Sequence, residues 1–287
     1  MLDATFDDPD LTTFTGLNAL GLRITGQRLD PDRAVLACAA PTINMVEGRS
    51  KSAFATWLAA RPAAWRDGIE VVAMDGFAGF RTATTAELPD TVAVMDPFRV
   101  VRLAGDALDQ CRRRVQQRLH GHRGRTGDPL YAARRVLHAG IELLTERQCT
   151  KLDALFDTTA QGQGHGDVHA EVEVTWSVYQ RMVAAYRDPE RAAGRRALST
   201  LIETLTKDVP AQLVELTRLG RTLAQRAVDV LAYFDRPGTS NGPTEAINGR
   251  LEHLRGSALG FRNLTNYIAR SLLETGGFRP LLHPQMR

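Results

Sequence analysis

The apolar and polar positions form two distinct patterns along this chain. In the first, the short runs Ile69–Met74 and Thr91–Met95 are almost continuously apolar, and Asp75 and Asp96 follow them directly. Such runs are typical of strands buried on both faces of a parallel sheet. A short helical segment lies between them, and strands that alternate with helices predict an α/β domain.

The second pattern is helical and fills the middle of the chain. From Phe98 to Phe234 the apolar residues recur at three- and four-residue spacing, which predicts helices almost throughout. The glycine-rich stretch Gln161–His169 interrupts them, and its composition favours a loop over a metal site. We expect a helical insertion at residues 99–235, after an α/β core at 47–98.

Composition favours a soluble, cytoplasmic protein that does not associate with membranes. No run approaches the roughly 20 consecutive apolar residues of a membrane span, and the first ten residues are acidic. The three cysteines, Cys38, Cys111 and Cys149, are isolated in sequence, so neither a disulfide framework nor a cysteine metal cluster is predicted.

Charge is concentrated in one region although the net charge is only +3. Ten arginines and three aspartates lie between residues 99 and 135. A basic stretch of this kind can neutralise nucleic-acid phosphates, but a solvated helix face explains it equally well. The candidate DNA contacts here are Arg99, Arg112, Arg113, Arg114, Arg123 and Arg125.

A second candidate carboxylate lies near the C-terminus. The turn-rich segment 236–243 ends in Pro243, a residue suited to the first turn of a helix. Glu245 would then project from that first turn, with Ile247 and Leu251 on the buried face. A structural explanation is also available, because the helix dipole stabilises a first-turn Glu by about 0.3 to 1 kcal/mol.

Five sequence blocks stand out along the chain, namely Met45–Ser50, Val72–Phe77, Val94–Val101, Ser240–Arg250 and Gly260–Asn263. Together these blocks resemble the ISL3 family of bacterial insertion-sequence transposases. They occur in the family's order and approximate spacing over about residues 45–287.

This resemblance implies a fold and a chemistry. The fold is an α/β, ribonuclease-H-like DDE core with a large all-α insertion before the helix of the catalytic Glu, and residues 236–287 supply that helix and a closing helix. Asp75 matches the second carboxylate of the triad and Glu245 the third, so both are expected to be catalytic and to bind Mg²⁺ or Mn²⁺. Asn248 and Arg250 are further candidate DNA contacts.

The chain also departs from the family pattern. The first catalytic Asp has no clear counterpart in residues 1–44, where Asp3, Asp7 and Asp10 lack the expected surroundings, and Arg99 stands where a His is usual. The zinc-binding and helix-turn-helix region of the family is not recognisable. We therefore expect an N-terminally truncated or altered member, whose residues 1–46 hold the divergent first strands of the core.

The leading functional hypothesis is a metal-dependent transposase. It would cleave and transfer strands of double-stranded DNA at terminal inverted repeats and target sites, as a homo-oligomer assembled on that DNA. One alternative is an inactive remnant that binds DNA or an intact transposase. The other is a structure-specific nuclease on the same fold, because one fold hosts many functions.

Overall fold

A computed structural model describes residues 23–30, 33–39, 50–74, 78–157, 165–236 and 238–275 of the chain. The candidate residues Asp3, Asp7, Asp10 and Asp75 lie outside these ranges. The chain divides into two compact units. We call residues 70–85 and 89–241 the sheet–helix unit, and residues 1–69, 86–88 and 242–287 the terminal unit.

The sheet–helix unit is organised around a small parallel sheet. Strands β3 (Val71–Met74) and β4 (Val92–Met95) pair in parallel, with Met74 opposite Met95. Both strands end at the residue that the sequence predicts, Met74 for β3 and Met95 for β4. Helix α3 (Ala78–Glu87) connects them.

Helices form most of the sheet–helix unit and follow β4 in the chain. Their bounds are α4 (Pro97–His120), α5 (Pro129–Ala133), α6 (Glu146–Phe156), α7 (His165–Arg187), α8 (Arg191–Lys207), α9 (Val214–Gln225) and α10 (Ala227–Asp235), with short 3₁₀ turns at Val136–His138 and Ile141–Leu143. The described residues from Pro97 to Asp235 are thus mostly helical, as their apolar spacing predicts. The capping box that begins α6 joins Thr145 and Gln148.

One continuous apolar core joins these helices. Helix α7 packs against α4 and α8, α9 packs against α8 and α4, and α10 covers β4. Fully buried side chains at the centre include Leu108, Met182, Leu198 and Leu223. The core reaches the sheet through Met95, which is 1% exposed.

The terminal unit contains the remaining elements. Strands β1 (Arg23–Asp30) and β2 (Arg33–Ala39) form an antiparallel pair with an irregular register between Ile24 and Gly26. Two short helices follow, α1 (Lys51–Ala59), which Ser50 caps, and α2 (Ala63–Asp67). Helices α11 (Gly242–Ser257) and α12 (Leu264–Thr275) pack against each other.

The predicted loop at Gln161–His169 is wrong at its C-terminal end. Helix α7 begins at His165, so residues 165–169 are helical. The His169 side chain is buried, and its Nδ1 lies 3.0 Å from the carbonyl oxygen of Leu155. Packing against α6 therefore outweighs the local preference that the glycines gave this stretch for a loop.

The mostly helical architecture with a small parallel sheet is compatible with the predicted α/β class. Within the described ranges, no helix is long and apolar enough to cross a membrane.

Candidate functional site

The two parallel strands end side by side, at Met74 and Met95, on the carboxyl edge of the sheet. Met74 and Met95 are register partners, and the Asp96 amide donates a hydrogen bond of 3.2 Å to the Met74 carbonyl oxygen. In parallel sheets the ligands lie beyond this carboxyl edge. Asp75 follows Met74 in sequence but lies outside the described residues, so its pairing with Glu245 stays a prediction.

Asp96 is a buried carboxylate at this edge. Its side chain is 4% exposed, and one oxygen accepts a hydrogen bond of 3.2 Å from the backbone amide of Asn241. Although Asp96 precedes α4, its side chain forms no capping bond to that helix. Its backbone carbonyl instead accepts from the amides of Arg99 and Val100.

The charge of Asp96 affects the pKa of the nearby Tyr186. Burial raises the pKa of the Tyr186 hydroxyl, and the negative charges of Tyr233 and Asp96 add to that shift. The Tyr186 ring stacks on Phe234 with 5.4 Å between ring centroids. The surroundings of Asp96 are therefore apolar and poorly solvated, where an electrostatic interaction is stronger than in water.

A buried cluster of three charges lies beside the end of β3. The carboxylate of Asp229 contacts Nε of Arg226 at 2.6 Å and Nε of Arg81 at 3.0 Å. Asp229 is 2% exposed and Arg226 is 8% exposed. Nη2 of Arg226 also lies 4.0 Å from Sδ of Met74, the residue before Asp75. This charge cluster holds α3 and α10 at the carboxyl edge of the sheet.

Glu245 lies where the sequence predicts, in the first turn of a helix. Helix α11 begins at Gly242, and Glu245 is half-buried there. Leu251 forms part of the buried face, whereas Asn248 and Arg250 are exposed. The exposed Glu252 pairs with Arg255 at 2.8 Å. Glu245 thus has less contact with solvent than the other acidic residue of its helix.

The arginines of α4 and the following loop fall into two groups. Arg112 is buried and donates to Asp109 and Gln116, while Arg114 pairs with Glu215 at 2.7 Å and with Glu171. In contrast, Arg123 and Arg125 are exposed. The other candidates of this region are Arg113, which is half exposed and pairs with Asp109, and the half-buried Arg99.

A basic groove of about 580 Å³ lies along the exposed face of α4. It is lined by Gln110, Arg113, Arg114, Gln117, Arg118 and Arg123. Arginine and glutamine are suited to phosphate and sugar oxygens because they present several N–H donors.

Divalent cations suit the carboxylates at these positions, because Mg²⁺ and Mn²⁺ prefer oxygen ligands. Among the residues that the structure describes, no group of three or more His, Cys, Asp or Glu side chains is close enough to hold a metal ion. Asp75, the first proposed ligand, is not among those residues.

Comparison with known proteins places the chain in a family. A family model described as a transposase, of the DDE type and the ISL3 group, matches residues 32–271. The chain belongs to this ISL3 transposase family. It is also 27% identical to the transposases of insertion sequence element IS1557 from two strains of Mycobacterium tuberculosis, CDC 1551 / Oshkosh and H37Rv.

Each of those alignments covers 90% of this chain and 59% of the relative. The chain therefore spans about three-fifths of the length of these curated relatives. No solved structure matches the chain.

Sequence reasoning missed the charge cluster in this ISL3 member. The available signal was Asp229 itself, which interrupts an apolar stretch of α10 that includes Val230 and Leu231. A charged residue within an apolar stretch is almost never fully buried unless it is paired. Arg226 lies three residues before Asp229 and is a local candidate partner, whereas Arg81 could not be predicted because it is remote in sequence.

Proposed function

We propose that this chain carries the DNA cleavage and strand-transfer chemistry of an insertion-sequence transposase, on a ribonuclease-H-like core. The observation that carries the proposal is the parallel register of Met74 and Met95, in a chain that belongs to the ISL3 family. This register brings the segment that leads into Asp75 beside the buried Asp96. The relatives are named transposases, and the proposal extends that activity to this chain.

In this proposal Asp75 and Glu245 hold a divalent cation, Mg²⁺ or Mn²⁺. A cation bound by carboxylates supplies charge stabilisation for the attacking and leaving oxygens of a phosphodiester displacement. The half-buried position of Glu245 supports this role, because partial exclusion of water strengthens the interaction of its carboxylate with a cation.

The protein's own groups would position the DNA. The basic groove along α4 fits the phosphate backbone of a duplex, and the exposed Arg123 and Arg125 fit adjacent phosphates. We assign Arg112 and Arg114 a scaffolding role, because their guanidinium groups already pair with Asp109 and Glu215. On α11, Asn248 and Arg250 are exposed and are proposed to contact DNA.

The activity test uses purified protein with Mg²⁺ or Mn²⁺ and duplex DNA taken from both sides of its own gene. We expect nicking at the element ends and joining of the freed 3′-hydroxyl to a second duplex. Asp75→Asn and Glu245→Gln should each abolish both steps. The matched control is Glu252→Gln, which changes an exposed carboxylate of the same helix and should leave the rate unchanged.

Other outcomes would contradict the proposal in distinguishable ways. DNA binding without cleavage by the unmodified chain would indicate the inactive remnant. Cleavage of branched or hybrid duplexes without joining would indicate a structure-specific nuclease. Equal activity of Glu245→Gln and the unmodified protein would remove Glu245 from the reaction.

The groove is tested through the salt dependence of DNA binding. Each phosphate contact that is lost should reduce the slope of log K against log salt by about 0.9. We expect a reduction near that value for Arg123→Ala. Arg195→Ala, which removes an exposed arginine on α8, should leave the slope unchanged. Equal slopes for both variants would exclude the groove as a DNA contact.

A further inference from the structure

Asp96 is a buried charge that the proposed metal ligands do not include. Only 4% of it is exposed, yet its side chain does not cap the helix that it precedes. A carboxylate buried to this extent is costly unless hydrogen bonds compensate for its lost hydration. Here the backbone amide of Asn241 donates one such bond at 3.2 Å.

The partner of this bond has a special place in the chain. Asn241 is the last residue of the sheet–helix unit, and Gly242 begins α11, which carries Glu245 in its first turn. The bond therefore fixes the point at which the chain leaves the sheet–helix unit, one residue before that helix. Because the acceptor is ionised, the bond is stronger than one between neutral groups.

Asp96 also holds the other strand end. Its backbone amide donates to the carbonyl oxygen of Met74, the residue that precedes Asp75. A single residue at the end of β4 is thus bonded, through its amide and its carboxylate, to the segments that lead into both proposed metal ligands.

We propose that Asp96 is a positioning residue for the strand-cleavage reaction. Its carboxylate anchors Asn241, the residue that precedes α11 in the chain, at the carboxyl edge of the sheet–helix unit. The expected effect of Asp96 on the cleavage rate rests on the proposed function, whereas its expected effect on the Asn241 amide does not. Small displacements of a reacting group cost on the order of 100-fold in rate, so the anchor would matter for turnover.

The structural consequence is tested by amide hydrogen exchange, which needs no activity. We expect Asp96→Ala to increase exchange at the Asn241 amide by roughly 10- to 100-fold, as for a lost hydrogen bond to a charged group. Asp96→Asn keeps an oxygen that can accept the bond, so it should retain most of the protection. Asp188→Ala is the matched control, because Asp188 accepts the Glu190 amide at the start of another helix. It should leave Asn241 unchanged.

The kinetic consequence is tested with the cleavage assay. We expect Asp96→Ala to lower kcat by roughly 10- to 100-fold without changing KM for DNA, and Asp96→Asn to recover most of the rate. If Asp96→Ala does not fold, Asp96→Asn alone decides the question. Loss of cleavage in Asp96→Asn with Asn241 still protected would overturn the positioning role, because it would mean that the charge itself is needed.

The two experiments distinguish failure of the proposed function from failure of the Asp96 anchor. If the unmodified protein does not cleave DNA, the proposed function fails, but the exchange experiment still tests the anchor. If Asp96→Ala leaves Asn241 protected, the anchor fails whatever the activity is. If Asp96→Ala exposes Asn241 to exchange but cleaves at the unmodified rate, the positioning role fails.

Discussion

The charge cluster beside β3 gives the most demanding stability prediction. Asp229→Ala removes a carboxylate that contacts both Arg226 and Arg81. The two arginines would then face each other without that negative charge. The side chain of Arg226 is only 10% exposed, whereas that of Arg81 is 39% exposed and can be hydrated. Most of the cost should therefore come from Arg226.

Breaking a buried ion pair by removing one partner costs about 3 to 5 kcal/mol. We expect Asp229→Ala to fall within this range. Asp229→Asn should cost less, because it keeps the volume and one hydrogen-bond acceptor while removing the charge. The matched control is Asp235→Ala on the same helix, whose carboxylate is 60% exposed and lies 3.5 Å from Arg195. An exposed pair contributes about 0 to 1 kcal/mol.

Urea unfolding at pH 7, followed by circular dichroism, measures the free energy of unfolding of each variant. The reasoning is refuted if Asp229→Ala and Asp235→Ala differ by less than about 1 kcal/mol, since burial would then have no influence on the pair. Equal instability of Asp229→Asn and Asp229→Ala would contradict the smaller cost expected for Asp229→Asn, and would assign the whole cost to the lost charge.

Three further predictions concern helix packing, helix propensity and pH. A Cβ at Gly220 would lie 2.2 Å from the Leu205 carbonyl oxygen, so Gly220→Ala should lower the free energy of unfolding by about 1 to 3 kcal/mol. A Cβ at Gly249 would have open space around it, so Gly249→Ala should stabilise α11 by up to about 1 kcal/mol. Urea unfolding measures whether the free energy of unfolding falls in Gly220→Ala and rises in Gly249→Ala. Burial acts to raise the pKa of Glu171, but bonds from Arg118 and Arg114 outweigh it and hold that pKa below the ordinary 4.5. The stabilisation is therefore present above pH 4.5 and lost as the pH falls through the lowered pKa, and Glu171→Gln should flatten the stability profile over that window.

The strand ends and the helices were predictable because their signals are local. β3 and β4 end at Met74 and Met95 as expected, since an Asp follows each apolar run. The helices between Pro97 and Asp235 follow from three- and four-residue spacing over more than a hundred residues. Glu245 in a first turn follows from the Pro243 signal. Each of these features depends on residues that are close in sequence.

The partners of the buried charges were not predictable, because they depend on tertiary contacts. Arg114 and Glu215 are 101 residues apart in sequence, and nothing local marks them as a pair. From the sequence, Arg114 could not be distinguished from Arg123. In the structure, Arg114 forms an ion pair with Glu215, whereas Arg123 is exposed at the surface. Within a basic stretch, only burial separates arginines that hold the fold from arginines that can reach DNA.

The same distinction allows one basic helix to serve both packing and the proposed binding of DNA. On α4, Arg112 pairs with Asp109 and Arg114 pairs with Glu215, so both guanidinium charges are neutralised within the sheet–helix unit. Arg118 lines the groove while it pairs with Glu171. A phosphate entering the groove would have to compete with that carboxylate, whereas at Arg123 it would meet an exposed guanidinium. DNA affinity should therefore come chiefly from the end of the groove near Arg123, and the acidic partners should limit how strongly the rest of α4 holds the duplex.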